Sequence, residues 1–113
     1  MSDCLFCNIV KGHIPAKRLF ESESVLAFLD IDPKAPSHVL VIPKVHLANV
    51  IELSKYAPSL SFELMDAIGS IASTLNLTSG FRIVSNTGDD GGQTVHHLHF
   101  HILGGRPMGW PPG

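Results

Sequence analysis

Four of the seven histidines in this 113-residue chain fall between Val95 and Ile102, and three of them alternate with apolar residues: His97-Leu98-His99-Phe100-His101-Ile102-Leu103. Side chains along a β-strand point to opposite faces in turn, so the pattern predicts His97, His99 and His101 on one face and Leu98, Phe100 and Ile102 on the other. Successive imidazoles on such a strand stand about 6.5–7 Å apart. Two chemistries suit the row. His-x-His can ligate a metal with a third ligand from elsewhere, or one imidazole can attack phosphorus covalently. The residues just upstream favour the second. Asn86, Gly88, Gly91, Gly92, Gln93 and Thr94 offer unhindered N–H groups and side-chain donors of the kind that hold phosphate oxygens. By itself such a loop is more often a plain hairpin turn, and only its place beside the histidines gives it weight. His96 should point away from the row, and His13 falls in a loop with no role assigned.

The second cluster is Cys4-Leu5-Phe6-Cys7. Two cysteines are too few for a disulfide framework. A redox C-x-x-C needs a βαβ setting, and a zinc site needs two further ligands.

The elements that must position these groups are legible from periodicity and breakers. A short helical turn is predicted over residues 5–11, stopped by Gly12. Residues 18–21 and 25–29 read as a hairpin, and residues 30–37, with Pro33 and Pro36, as a loop. His38-Val39-Leu40-Val41-Ile42-Pro43 is a β-branched run closed by proline, hence a strand. Leu60, Leu64, Ile68, Ile71 and Leu75 recur at helical spacing behind Pro58, a residue suited to a first turn, and this helix should fade near Asn76. Residues 81–85 and 94–103 complete a set of five strands. The class is α+β, with an antiparallel sheet, one long helix and one short one.

The length fits one domain over residues 1–113, with 104–113 as a Gly/Pro-rich tail. A net charge of −2 and no basic run argue against nucleic-acid binding through bulk charge. No apolar stretch approaches the roughly 20 residues a bilayer demands. The N-terminus has no basic and apolar leader, so the expected location is the cytoplasm.

The row of histidines resembles the motif of the histidine triad (HIT) family, in which three histidines alternate with apolar residues. The likeness extends through Phe6, Ile14-Pro15-Ala16, Ala27-Phe28, Asp30-Ile31, Ala35-Pro36, His38, Leu40-Val41-Ile42-Pro43-Lys44, Gly91-Gly92-Gln93 and Leu103-Gly104-Gly105-Arg106 to Trp110-Pro111-Pro112-Gly113. That ending resembles the nucleotide-binding branch of the family, the purine nucleoside phosphoramidases. The resemblance implies a HIT-like fold and a hydrolase. In it, His99 attacks the α-phosphorus of a nucleoside 5′-phosphoramidate, His101 bonds the phosphate, and His97 and His38 orient the cluster. It further implies that Asp30 takes the ribose hydroxyls and that Leu5, Phe6, Ile9, Phe28 and Ile31 enclose the base. Asn86, Gly92, Gln93 and Thr94 would contact the phosphate and leaving group. Thr94 stands where the family more often has serine. Some bacterial members hold a structural zinc through residues matching Cys4, Cys7, His46 and His97; none is needed for catalysis. Related chains form homodimers in which Trp110 reaches the partner's site. Rival readings are a dinucleoside polyphosphate hydrolase or nucleotidyltransferase on the same fold, a nucleotide-binding regulatory protein without turnover, and a zinc hydrolase ligated by the three histidines.

Overall fold

The computed structural model describes residues 3–113. Its elements are α1 (Leu5–Val10), β1 (Arg18–Glu21), β2 (Val25–Leu29), β3 (Ser37–Pro43), α2 (Val50–Ser54), α3 (Pro58–Thr74), β4 (Phe81–Val84) and β5 (Phe100–Gly104). The strands form one antiparallel sheet in the order β1-β2-β3-β5-β4. The α+β class, the five strands, the hairpin and the long helix stand as the sequence predicts. The short α2 was not foreseen. Five residues are too few for a periodic signal, and Asn49 caps it by accepting from the N–H groups of Ile51 and Glu52.

The sheet buries two layers. On one face Val25, Ala27, Val39, Val41, Phe100 and Ile102 pack against Leu60, Leu64, Ala67, Ile68 and Ile71 of α3. On the other, Leu26, Phe28, Leu40 and Ile42 pack against Phe6 and Ile9 of α1. β3 runs through both layers, which is why it reads as an unbroken apolar run. α3 lies across β1, β2 and β3. The β4 end of the sheet is less covered, and Phe81 and Ile83 are exposed there.

The last strand is shorter than its sequence pattern implies, and His97 and His99 lie ahead of it rather than on it. The β3–β5 ladder ends at Val41 opposite Phe100. Two residues further, the partner of Leu98 would be Pro43, which has no N–H to give. Leu98 instead donates to the carbonyl of Leu47 at 2.6 Å. Leu98 still points into the α3 layer, so the expected division of apolar and histidine residues survives without a regular strand.

At the end of β5 and just past it, Gly104 and Gly105 sit in close quarters. A Cβ on Gly104 would meet the Leu77 side chain at 2.9 Å, and one on Gly105 would meet Pro36 at 2.8 Å. Gly105 also has φ +91°, a conformation other residues rarely adopt. The tail is thereby pressed onto the loop between β2 and β3. Among the described residues, no helix is long and apolar enough to cross a membrane.

Candidate active site and metal centre

β3 and β5 place two imidazoles side by side. His38 stands opposite Leu103, and His101 opposite Leu40. His38 Nε2 lies 2.9 Å from His101 Nδ1. The Lys34 N–H donates to His38 Nδ1 at 3.0 Å, so that nitrogen is the acceptor and Nε2 carries the hydrogen. Asp30 Oδ2, 3.4 Å from His38 Nε2, is a second acceptor on the same side. His101 Nδ1 therefore accepts, and its own hydrogen sits on Nε2. Burial, then the neighbouring His99 and His38, pushes the His101 pKa down to about 4. Burial also lowers His38, against the opposing pull of Asp30.

His99 is fixed by the opposite logic. Its Nδ1 donates to the His97 carbonyl at 2.7 Å, so the tautomer of the neutral ring carries its lone pair on Nε2. Ser85 donates to the His99 carbonyl at 2.9 Å and steadies the backbone there. The Phe6 ring meets His99 edge-on, with centroids 5.1 Å apart. His99 and His101 line a cavity of about 260 Å3 whose walls also include Leu5, Phe6, Ile9, Phe28, Asp30, Ile31 and Thr94. Ile14, Pro15, Ala16, Leu29, Leu40 and Val95 complete it. Apolar walls that also hold a carboxylate and two imidazoles suit a flat apolar group joined to a polar, anionic one. A larger cavity of about 480 Å3, beside Asn76 and Arg106, holds no histidine.

Other residues singled out from the sequence stand elsewhere. The Gln93 side chain is buried and spends its amide within the protein. It donates to the carbonyls of Ala48 and Val95 and accepts from the Gly88 N–H. Gly92 forms the tight turn above it, with φ +77°. Asn86 is half-buried in the loop after β4. Trp110 is 83% exposed and lies over Arg82, whose guanidinium is 6.0 Å from the ring centre and donates to the Gly109 carbonyl. Neither Asn86, Gln93 nor Trp110 lines the histidine cavity. Ser85 and the backbone groups of Lys34, Pro43 and His97 escaped sequence reading. A main-chain donor or acceptor has no residue type to reveal it.

His97 does not face the cavity. It is fully buried, and its Nε2 donates to the Pro43 carbonyl at 2.9 Å. Its Nδ1 thus presents a lone pair, 3.3 Å from Cys4 Sγ, 3.5 Å from Cys7 Sγ and 3.2 Å from His46 Nδ1. Cys7 Sγ lies 3.4 Å from His46 Nδ1. The four form one cluster of ligand atoms. A tetrahedral zinc with ordinary bond lengths separates two nitrogens by about 3.3 Å and a nitrogen and sulfur by about 3.5 Å. The donor set fits. Cys4 Sγ also accepts the Cys7 N–H at the start of α1, and the Pro43 bond fixes the His97 tautomer from behind, as metal-bound histidines require.

Comparison with known proteins agrees with this architecture. The HIT domain family matches residues 11–108. The crystal structure of a HIT family hydrolase from Legionella pneumophila Philadelphia 1 superposes with a TM-score of 0.94 at 44% identity, covering 98% of this chain and 100% of that one. A histidine triad nucleotide-binding protein from Candida albicans superposes with a TM-score of 0.84 at 32% identity, covering 96% and 83%. A 14 kDa zinc-binding protein from Zea mays is 41% identical over 114 residues, covering 99% of this chain and 89% of that protein. The chain belongs to the HIT domain family.

Two outcomes are expected of the site. In an NMR titration of the imidazole protons, His101 should remain neutral through pH 6 and 5 and take up a proton only near pH 4. An ordinary midpoint near 6.5 would contradict the burial that sets it. Titrating metal-stripped protein with Co2+ should give one tetrahedral thiolate–cobalt centre per chain. Cys7→Ser should weaken or abolish it, and metal at a hundredfold excess over Kd should add about 2.7 kcal/mol of stability in the wild type.

Proposed function

We propose that this HIT-domain chain hydrolyses purine nucleoside 5′-phosphoramidates, adenylated lysine-like amines among them, to the nucleoside monophosphate and the free amine. The observation that carries the reading is the His99 tautomer. With Nδ1–H held on the His97 carbonyl, the Nε2 lone pair is left for phosphorus on a residue that lines an apolar cavity. The names of two relatives, a hydrolase and a nucleotide-binding protein, support the same class of chemistry.

In this reading the base lies between Phe6, Ile9, Phe28 and Ile31, and Asp30 accepts from the ribose hydroxyls. His99 Nε2 forms a bond to the α-phosphorus as the phosphorus–nitrogen bond breaks. The amine departs with a proton taken from solvent at the cavity mouth beside exposed Thr94. The His101 Nε2–H donates to a phosphoryl oxygen and steadies its charge. Water then attacks phosphorus, returns a proton to solvent and restores the electron pair to His99. Thr94, on the wall of the same cavity, offers a hydroxyl to the phosphate or leaving group, whereas the Gly92 and Gln93 N–H groups are bonded to the carbonyls of Asp89 and Gly88 within their own turn. His97 and His38 act behind the reacting pair.

Zinc on Cys4, Cys7, His46 and His97 would tie α1 to the turn after β3, a structural role supported by the fit of the donor atoms and by the zinc-binding relative. A second copy of the chain would pair along β4, one of the two edge strands of the sheet. Phe81, Ile83, Phe62 and Met65 are exposed apolar residues on β4 and α3. In that dimer the exposed indole of Trp110 reaches towards the partner's leaving group.

A fluorogenic adenosine 5′-phosphoramidate tests the reaction. Wild type should turn it over with or without chelator, faster than a diadenosine polyphosphate, and His99→Ala should lose at least about a thousandfold in kcat while still binding AMP. Undiminished turnover by the variant would remove the covalent step. Preference for the polyphosphate would move the substrate class, and AMP binding without turnover would mark a regulatory protein. For the dimer, Ile83→Asp should convert the sedimenting species to a monomer; an unchanged species would place the contact elsewhere.

A further inference from the structure

We propose that Arg106 is a positioning residue for the paired imidazoles: it grips the Lys34 backbone so that the Lys34 N–H decides which nitrogen of His38 carries the hydrogen. Three bonds in series connect the tail to the site. Arg106 Nη2 donates to the Lys34 carbonyl at 2.9 Å. On the other side of the same Cα, the Lys34 N–H donates to His38 Nδ1 at 3.0 Å. His38 Nε2 then meets His101 Nδ1 at 2.9 Å.

The loop carrying Lys34 needs such a grip. Residues 30–36 lie outside the sheet. The loop is closed at its base by the Asp30 N–H on the His38 carbonyl and by Asp30 Oδ1, which accepts the Asp32 N–H at 2.8 Å. Lys34 Nζ reaches only the exposed Asp32, a contact that adds little rigidity. At the loop's far side stand the tail's two contacts, Gly105 on Pro36 and Arg106 on the Lys34 carbonyl. Arg106 Nη1 also donates to the Pro107 carbonyl, which aims the guanidinium.

The chemical consequence is specific. A neutral imidazole exchanges its hydrogen between two nitrogens at small cost, and one strong donor at Nδ1 settles the choice. With the hydrogen on His38 Nε2, His101 must accept at Nδ1 and present its own N–H at Nε2. If the Lys34 N–H drifts away, the remaining pull on the Nε2 hydrogen is the longer contact to Asp30 Oδ2 at 3.4 Å, and His38 can carry the hydrogen on Nδ1. His101 then loses its donor and can present a bare lone pair to the cavity, the wrong polarity for an anionic oxygen.

The test reads tautomers by 15N-edited NMR of the imidazoles at pH 7. Wild type and Lys34→Ala, which keeps the N–H, should both show His38 as the Nε2–H form. Arg106→Ala should show a second His38 tautomer and a matching change at His101, with the unfolding midpoint unchanged. Arg106→Lys should restore part of the wild-type signal. Lys34→Pro, which deletes the donor, should give the largest change. Should that variant fail to fold, Arg106→Ala decides alone. Wild-type His38 and His101 signals in Arg106→Ala would overturn the proposal, as would a lowered midpoint without a tautomer change. The rate readout rests on the hydrolytic reading above. There, a population split evenly between tautomers would cost about twofold in kcat/KM. The tautomer signal does not depend on that reading, so the two can fail separately.

Discussion

A neutral imidazole has one hydrogen for two nitrogens, and four buried or half-buried histidines of this chain are each committed by a bond on one side to a fixed role on the other. Main-chain groups make most of those commitments: Lys34 N–H for His38, the His97 carbonyl for His99 and the Pro43 carbonyl for His97. His101 takes its orientation second-hand from His38. Because main-chain groups are placed by the fold, the chemistry of the side chains is set by where β3 and β5 end. Pro43 stops the ladder, the segment ahead of β5 leaves the sheet, and His97 and His99 turn to different neighbours. Had the strand continued regularly, the three imidazoles would share one face and one environment.

That parting of ways explains how one motif serves two sites. His97 looks to Cys4, Cys7 and His46, whereas His99 and His101 look into the apolar cavity. α1 joins the two. Its six residues are too few to hold a helix unaided. They are kept by Phe6 and Ile9 on the cavity side and by the thiols on the other. The Phe6 ring touches both His97 and His99 edge-on, so the wall of the cavity and the flank of the metal cluster are one side chain.

Much of this was legible in the chain. The hairpin, β3, α3 and the two-layer division follow from apolar spacing, since burial enforces it. The residues of the histidine cavity were mostly named from the resemblance to the HIT family, and Cys4, Cys7, His46 and His97 do converge. The early end of the last strand was not legible, because His97 to Leu103 alternates as a strand should and the interruption comes from Pro43, more than fifty positions away. Gln93 reads as a phosphate donor by type but is consumed by the carbonyls of Ala48 and Val95. Its burial depends on tertiary packing that no local pattern encodes. Trp110 stands over Arg82 at the margin of one chain, away from the residues it was grouped with.

The consecutive glycines that end and follow β5 have unequal tolerance. At Gly104 the obstacle is the tip of the Leu77 side chain, which can rotate aside, so a methyl there would cost local packing near α3. At Gly105 the obstacle is a proline ring, and the backbone itself sits at positive φ. Neither can yield. A side chain at this second position would act as a spacer under the loop that holds Lys34. The damage would surface at His38 and His101, while the hydrophobic layers, which do not include it, keep their packing. Inherited variation at the two neighbouring codons would therefore present as two different defects, one of folding and one of chemistry.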